Sequence, residues 1–434
     1  MDKLIIGLDI SQGSAAAFFY RGQLPNNLRD FYESSNFVRH LRILPQSHHS
    51  ITLIRRMKPY RVVFETTGRY SVWWRQRFDE NRIPYEIANQ SLLAASRRYI
   101  AGSDNKDDAF DGLLLTKFFW DKFVSNFDRR CWLRKQEPEI VQLRRLLLDL
   151  KGSNKKINQT KNSLKANLAS EWPEVSKISS KIIANPTSLD ALPAFYAWLA
   201  GWREYGTWEL ARHLETRWNR QAEIDHAQLS PQTRDLARIV CIFSNQKVRL
   251  QEEVSSILSA SRFAPYHQIF DEFTFDMSCR GWLLARIFPF EQFLDEDGQA
   301  IVSYSGSGKT KKHRSKRRFK QVLGLGNSVF QSGQSVSQSR NQGSAEARSA
   351  LWLYFSRQIE FHFDRQGALH LGKTRAADGP MRRAEEYWLQ RAYDRLPSGQ
   401  LQKRSGKTLI AARNATVRKI AELLFSALLA GLGV

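Results

Sequence analysis

The sequence predicts an α/β domain followed by two mainly helical regions, and three observations carry that prediction. Short β-type runs alternate with helical patterns over roughly the first 130 residues, the rhythm of an α/β sheet domain. A strict 3-4 apolar spacing, the period of a coiled coil, begins at Ile140. The last third then changes character, with a basic run and a Gly-, Ser-, Gln- and Asn-rich stretch lying between further helical patterns. These changes of pattern divide the chain into 1–130, 131–262 and 263–434. A chain of 434 residues exceeds the usual single core, and a hydrophobic content of 42% suffices to build several.

In the first region Leu4 to Ser11 and Ala15 to Tyr20 read as a strand pair around the turn Gln12-Gly13-Ser14. Tyr60 to Thr66 reads as a buried strand, Tyr70 to Asn81 as a helix, Tyr85 to Asn89 as a strand and Asp108 to Phe123 as a helix. In the second region Ile140, Leu143, Leu147, Leu150, Ile157, Leu164 and Leu168 keep the seam, which Asn154 and Lys161 interrupt. Polar residues at such positions cost stability and favour one register. Trp172-Pro173 ends this helix. Ser230-Pro231, an N-cap and first-turn pair, opens a second one through Leu236, Val240, Phe243, Lys247, Leu250, Val254 and Ile257. The two helices pair either within one chain or between two chains.

In the third region the stretch from Gly306 to Lys320 holds Lys309, Lys311, Lys312, His313, Arg314, Lys316, Arg317, Arg318 and Lys320. Together with Gly324 to Gly343 it lacks the apolar residues for a core and reads as loop. Helical patterns follow over Ala345 to Phe363 and Thr408 to Leu429, with Gly431 expected to close the latter.

Lys plus Arg outnumber Asp plus Glu by 66 to 43, a formal charge of +23, which is the footprint of a polyanion binder. The cysteines Cys131, Cys241 and Cys279 are scattered and lack CxxC or paired His spacing, which argues against a disulfide framework or a zinc site and fits a reducing cytosol. No secretory signal is expected, and Leu423 to Val434 is too short an apolar stretch to span a bilayer.

Against this basic background four carboxylates stand out. Asp9 follows Leu4-Ile5-Ile6-Gly7-Leu8, Glu65 follows Val62-Val63-Phe64, and Asp108 and Asp111 lie one helical turn apart. Acids at the carboxyl ends of buried strands lie where an α/β sheet presents its active site. Hard oxygen ligands of this kind suit Mg²⁺, and two such ions assist phosphodiester cleavage. A solvated helix face at Asp108 and Asp111 is the ordinary alternative.

These residues resemble a family. Ile6-Gly7-Leu8-Asp9-Ile10-Ser11, Phe64-Glu65-Thr66-Thr67-Gly68-Arg69-Tyr70 and Lys106-Asp107-Asp108-Ala109-Phe110-Asp111 look like the three motifs of the DEDD transposases of insertion sequence family 110, relatives of the Piv-type DNA invertases. The coiled-coil region, Glu171-Trp172-Pro173 and Leu323-Gly324-Leu325-Gly326 followed by Gln331-Ser332-Gly333 keep the family's order over nearly the whole chain. The resemblance implies a RuvC-like (RNase H-like) mixed sheet domain, a central helical coiled coil and a mainly helical C-terminal transposase domain. It implies Mg²⁺ (or Mn²⁺) held by Asp9, Glu65, Asp108 and Asp111, with Ser332 as the nucleophile that forms a phosphoserine with DNA. The implied partners are donor and target DNA, a structured guide RNA (bridge RNA) from the element's noncoding end, and further copies of the chain as a homodimer assembling to a tetramer. The implied setting is the cytosol of a bacterium or archaeon, close to the nucleoid, without a membrane.

Lys309, Lys311, Lys312, Arg314, Lys316, Arg317, Arg318 and Lys320 are the expected nucleic-acid contacts, with Arg97-Arg98, Trp73-Trp74 and Lys403-Arg404 as lesser ones. Two departures from the family pattern leave questions open. Lys106-Asp107-Asp108 replaces a Lys-Thr-Asp spacing, so Asp104 and Asp107 stay alternative ligands. Met277-Ser278-Cys279-Arg280-Gly281 stands where the family has a Pro-Gly-x-Gly phosphate-binding turn.

Other readings compete. Gly308-Lys309-Thr310 mimics the end of a P-loop, but Ser303 occupies the required first glycine and a basic run follows, so an ATPase is rejected. An actin-like sugar kinase would share the sheet but not the charge. A Holliday-junction-type endonuclease or a site-specific DNA invertase is the enzyme alternative, and an RNA-binding protein without a working site is the third class.

Overall fold

The computed structural model describes residues 3–25, 27–66, 68, 70–101, 107–133, 135–174, 194–202, 208–225, 228–305, 310–330, 338–360 and 379–432. The chain forms two compact units, Met1–Gln136 and Glu137–Val434.

The first unit is mixed α/β. Its elements in order are β1 (Leu4–Ile10), β2 (Ser14–Arg21), α1 (Leu28–Glu33), α2 (Ser35–His40), β3 (Leu41–Pro45), α3 (His48–Arg56), β4 (Arg61–Glu65), α4 (Tyr70–Glu80), β5 (Tyr85–Ala88), α5 (Gln90–Ala101), α6 (Asp108–Phe119) and β6 (Trp132–Leu133). The strands form one sheet in the order β3-β2-β1-β4-β5-β6. β1, β2 and β3 are antiparallel neighbours, β4 and β5 continue parallel to β1, and β6 closes the far edge antiparallel to β5. Every residue of β1 is buried, which explains why its run is apolar on both faces rather than alternating. On one face Ile6, Leu8, Val62 and Phe64 pack with Ile51 and Ile54 of α3 and with Trp74 and Phe78 of α4. On the other, Ile5 and Val63 pack with Leu114, Leu115 and Phe118 of α6. The expected helix over 108–123 is shorter, because from Trp120 to Ser125 the backbone widens into a π-helical turn that brings the Phe119 and Phe123 rings into a 4.5 Å stack.

The second unit opens with α7 (Pro138–Glu171), α8 (Ala194–Leu199), α9 (Trp208–Asp225) and α10 (Pro231–Leu258). Helices α7 and α10 of the same chain pack antiparallel. At one end Asn167 donates to Thr233 Oγ1 at 3.3 Å, while the Glu171 carboxylate accepts from Ser230 N (3.0 Å), Ser230 Oγ (2.6 Å) and Thr233 Oγ1 (2.9 Å). At the other end Ile140, Leu143, Leu147 and Leu150 share a core with Leu250, Val254 and Leu258. Asn154, Lys161 and Lys247 are only half-buried along this seam, as expected of its polar interruptions. Ser230 caps α10 as predicted, accepting from Thr233 N at 3.1 Å.

The first half of α7 and the last half of α10 also belong to the core of the C-terminal elements. These are α11 (Ala264–Glu272), α12 (Met277–Ile287), β7 (Val302–Ser305), β8 (Thr310–His313), α13 (Arg314–Val322), β9 (Gly326–Phe330), β10 (Gln338–Gln342), α14 (Ala345–Gln358), α15 (Pro380–Ala392), β11 (Tyr393–Arg395), β12 (Leu401–Lys403) and α16 (Gly406–Gly431). Four expectations are corrected here. The described part of the stretch read as loop forms β8, antiparallel to β7, and helix α13, because Ser315 and Phe319 are buried on one side of an otherwise cationic helix. Part of the stretch after it forms the antiparallel pair β9–β10, Phe330 opposite Gln338. An amphipathic helix therefore does follow Thr310, but it begins at Arg314 after a strand, so the P-loop is still lacking its geometry. Gly431 is the last helical residue of α16 and Leu432 is the cap. Among the described residues no helix is long and apolar enough to cross a membrane.

Candidate active site

The site is built where β1 and β4 end. These strands run parallel in the register Gly7↔Val63 and Leu8↔Phe64, so Asp9 and Glu65, each one residue further on, occupy neighbouring positions at their carboxyl ends. The pleat puts Ile5, Gly7 and Asp9 on one face of the sheet with Val63 and Glu65, the face that α6 covers. Asp9 is 2% exposed and Glu65 is half-buried.

Two glycines set the distance of α6. A Cβ built on Gly7 would lie 2.0 Å from Gly112 O and 2.7 Å from Thr116 Oγ1, so the helix crosses β1 with backbone against backbone. Asp111, the residue before Gly112, is thereby held over the end of β1 and is itself 2% exposed. Its Oδ1 accepts from Arg97 Nε of α5 at 2.8 Å. The Arg97 side chain is 17% exposed, so this ion pair is largely withdrawn from water.

Asp108 is exposed in the first turn of α6, so the i, i+3 pair does not share one environment. Asp107 is occupied structurally: it caps α6 by accepting from Ala109 N at 2.9 Å and also accepts the Tyr32 hydroxyl. That hydrogen bond, aided by burial and by the Asp107 charge, raises the Tyr32 pKa to about 12. Asp104 lies outside the described residues, as do Ser332 and Lys309. The structure thus places Asp9 and Glu65 at adjacent strand ends and Asp111 on the helix that covers the same sheet face, while Asp108 is exposed in that helix's first turn. Among the described residues no three His, Cys, Asp or Glu side chains stand close enough to enclose a metal ion. The donor set nonetheless fits a hard divalent cation in type, being all carboxylate, and Asp9 and Asp111 are removed from water in the way a metal would offset.

Of the expected nucleic-acid contacts, Lys311 and Lys312 stand exposed on β8, and Arg314, Arg317 and Arg318 are exposed on α13. Lys316 lies over the Phe425 ring at 6.0 Å, and Lys320 pairs with Glu422 at 2.6 Å, so Lys320 has a fold-internal role. Among the lesser contacts Arg98 is exposed, and the others have partners within the fold. Arg97 serves Asp111, and Trp74 is fully buried against Phe78 with Trp73 packed edge-on to it. Lys403 pairs with Glu360 at 3.3 Å and Arg404 with Asp394 at 2.6 Å. Met277 to Gly281 forms the start of α12, capped by Asp276, with Gly281 admitting Leu147. Sequence reasoning did not single out Arg97 as the partner of Asp111, since no spacing links residues on two separate helices. It also passed over Tyr304, 62% exposed and opposite Lys311 in the β7–β8 hairpin.

Compared with family models and with curated proteins, the chain finds no match.

Proposed function

We propose that the protein is an RNA-guided DNA transposase that cleaves and rejoins strands through a phosphoserine, with a RuvC-like first domain. The observation that carries this reading is the placement of Asp9 and Glu65 at adjacent strand ends, on the face covered by the helix that bears Asp111, in a sheet ordered β3-β2-β1-β4-β5, its first three strands antiparallel and the rest of that set parallel to β1. That order supports an RNase H-like domain, and the acids lie at its strand ends. The tetrad of Asp9, Glu65, Asp108 and Asp111 would hold Mg²⁺ or Mn²⁺. When bound, the ion would offset the charge on the phosphate under attack.

The chain's own residues supply the rest. Asp107 is engaged as the cap of α6 and with Tyr32, which favours Asp108 and Asp111 as the third and fourth acids. Ser332 Oγ attacks the phosphorus as one P–O bond of the strand breaks, and the serine proton leaves with the departing strand hydroxyl. The new phosphoserine keeps the phosphodiester energy, so a second strand's hydroxyl can attack it and restore Ser332 without ATP. Guide-RNA pairing reads sequence, while cations such as Lys311, Lys312, Arg314 and Arg317 grip backbones.

The test incubates purified protein and its co-purifying RNA with DNA ends and Mg²⁺ and assays covalent protein–DNA adducts. Adduct that disappears in Ser332→Ala and in Asp9→Asn supports the proposal. Cleavage without adduct supports a junction-type endonuclease instead, and no cleavage in any metal supports an RNA-binding role.

A further inference from the structure

Beside the exposed cations of β8 and α13 the second unit contains a cleft of about 410 Å³. Its walls are mainly apolar, made by Ile301 and Val302 at the start of the β7–β8 hairpin and by Phe425, Leu429 and Ala430 of α16, with Lys316 at its edge. The mouth is fixed in place. Arg314 N donates to Ile301 O at 3.0 Å, Ile301 N donates to Ser315 Oγ at 2.8 Å, and Arg314 Nε donates to Ser303 Oγ at 2.7 Å. The hairpin base and the start of α13 are therefore one rigid frame, with Lys311 and Lys312 on the strand leading into it.

Two properties of this cleft point in different directions until they are combined. An apolar hollow that opens beside a dense run of cations would repel a cationic or purely aliphatic partner's polar flanks and attract an anion. A simple phosphate gains nothing from the apolar walls. A nucleotide satisfies both, with its base in the hollow and its phosphates on the rim, and only an unpaired base is free to leave a stack and enter.

We infer that this cleft receives an unpaired nucleobase of a single-stranded nucleic acid, whose flanking phosphates lie along Lys311, Lys312, Arg314 and Arg317. The inference rests on the proposed nucleic-acid function and specifies what its basic run recognises. Exposed Tyr304, across the strand from Lys311, offers a stacking face for the neighbouring base. The cleft thus selects displaced or looped strands over duplex, and His313, Lys316 and Ser426, which line it beside the apolar residues, are the groups available to hydrogen-bond the base edge.

The experiment measures binding of full-length protein to a fluorescent single-stranded oligonucleotide, to the same strand carrying abasic sites, and to its duplex, in DNA and in RNA. The expected result is about tenfold or more tighter binding of the base-bearing single strand than of the abasic strand, within the range of one stacked base. Ser426→Trp, which fills the cleft from the exposed side of α16, should abolish that difference and leave the salt dependence unchanged. Lys311→Gln with Lys312→Gln should instead lower the slope of log affinity against log salt by about 0.7 per lost phosphate contact. Equal affinity for base-bearing and abasic strands, or a Ser426→Trp protein that still discriminates, overturns the inference and leaves the transposase proposal standing. Absence of binding to any nucleic acid overturns both, and the DNA and RNA arms decide which strand occupies the cleft.

Discussion

Gly7→Ala is the substitution with the largest predicted consequence for the candidate active site. The new methyl would meet Gly112 O at 2.0 Å and Thr116 Oγ1 at 2.7 Å, where ordinary contact begins near 3.4 Å. The nearest obstacle is backbone in the middle of α6, so no side chain can rotate away, and the helix must move outward by about 1 Å or more. Overpacking of a close-packed core costs about 1 to 3 kcal/mol, and a clash with backbone belongs at the upper end, about 3 kcal/mol. Gly112→Ala provides the control. Its methyl would lie 3.2 Å from Phe18 Cβ and 3.3 Å from Gly7 O, which a shift of a few tenths of an ångström relieves, so about 1 kcal/mol is expected. The assay is urea unfolding followed by tryptophan fluorescence, since Trp74 and Trp132 report on this unit. A Gly7→Ala protein whose midpoint matches that of Gly112→Ala or the wild type would refute the claim that backbone contact sets the position of α6 and hence of Asp111.

Further outcomes follow from other contacts. Arg97→Ala removes an ion-pair partner from a nearly buried carboxylate and should cost about 3 kcal/mol; if Asp111 is a metal ligand, Mg²⁺ raises the urea midpoint of this variant more than that of the wild type. Glu171→Gln loses the charge in three hydrogen bonds that join α7 to α10 and should cost about 1 to 2 kcal/mol in the unfolding of the second unit. Burial raises the Glu171 pKa, but the bonds from Ser230 and Thr233 outweigh it and leave the carboxyl below its ordinary 4.5. A depressed folded pKa means the stabilisation is complete above 4.5 and lost as pH falls through the lower folded value, so a pH series of unfolding midpoints should converge for wild type and Glu171→Gln in strong acid.

The parts of the fold legible in the sequence were those with strong local periodicity. β1, β4, α4, α7, α10 and α16 are long or uniformly apolar, and their expected ends fall within a few residues of the observed ones. β3 was missed because it is an edge strand with Arg42 and Ile43 exposed, and such a strand carries no continuous apolar run. α13 was missed because its composition is dominated by cations, and only Ser315 and Phe319 mark the buried side. The choice between intramolecular and intermolecular helix pairing was not legible at all, because a 3-4 seam is satisfied equally by either partner; the Glu171 clamp onto Ser230 and Thr233 decides it for α7 and α10. In the candidate site, the strand-end acids Asp9 and Glu65 could be read from their apolar runs, and Asp111 from helical spacing. The burial of Asp111 but not Asp108, and the use of Asp107 as a cap, depend on how α6 lies on β1, which spacing does not encode.

The proposed transposase chemistry turns on which atom of the protein would hold the DNA. Mass spectrometry of the protease-digested adduct, formed with co-purified RNA, DNA ends and Mg²⁺, is the decisive measurement. The expected result is a nucleotide phosphate on the peptide containing Ser332, present in wild type and absent from Asp9→Asn. A phosphate on any other residue, or strand cleavage that leaves every serine unmodified, would contradict it.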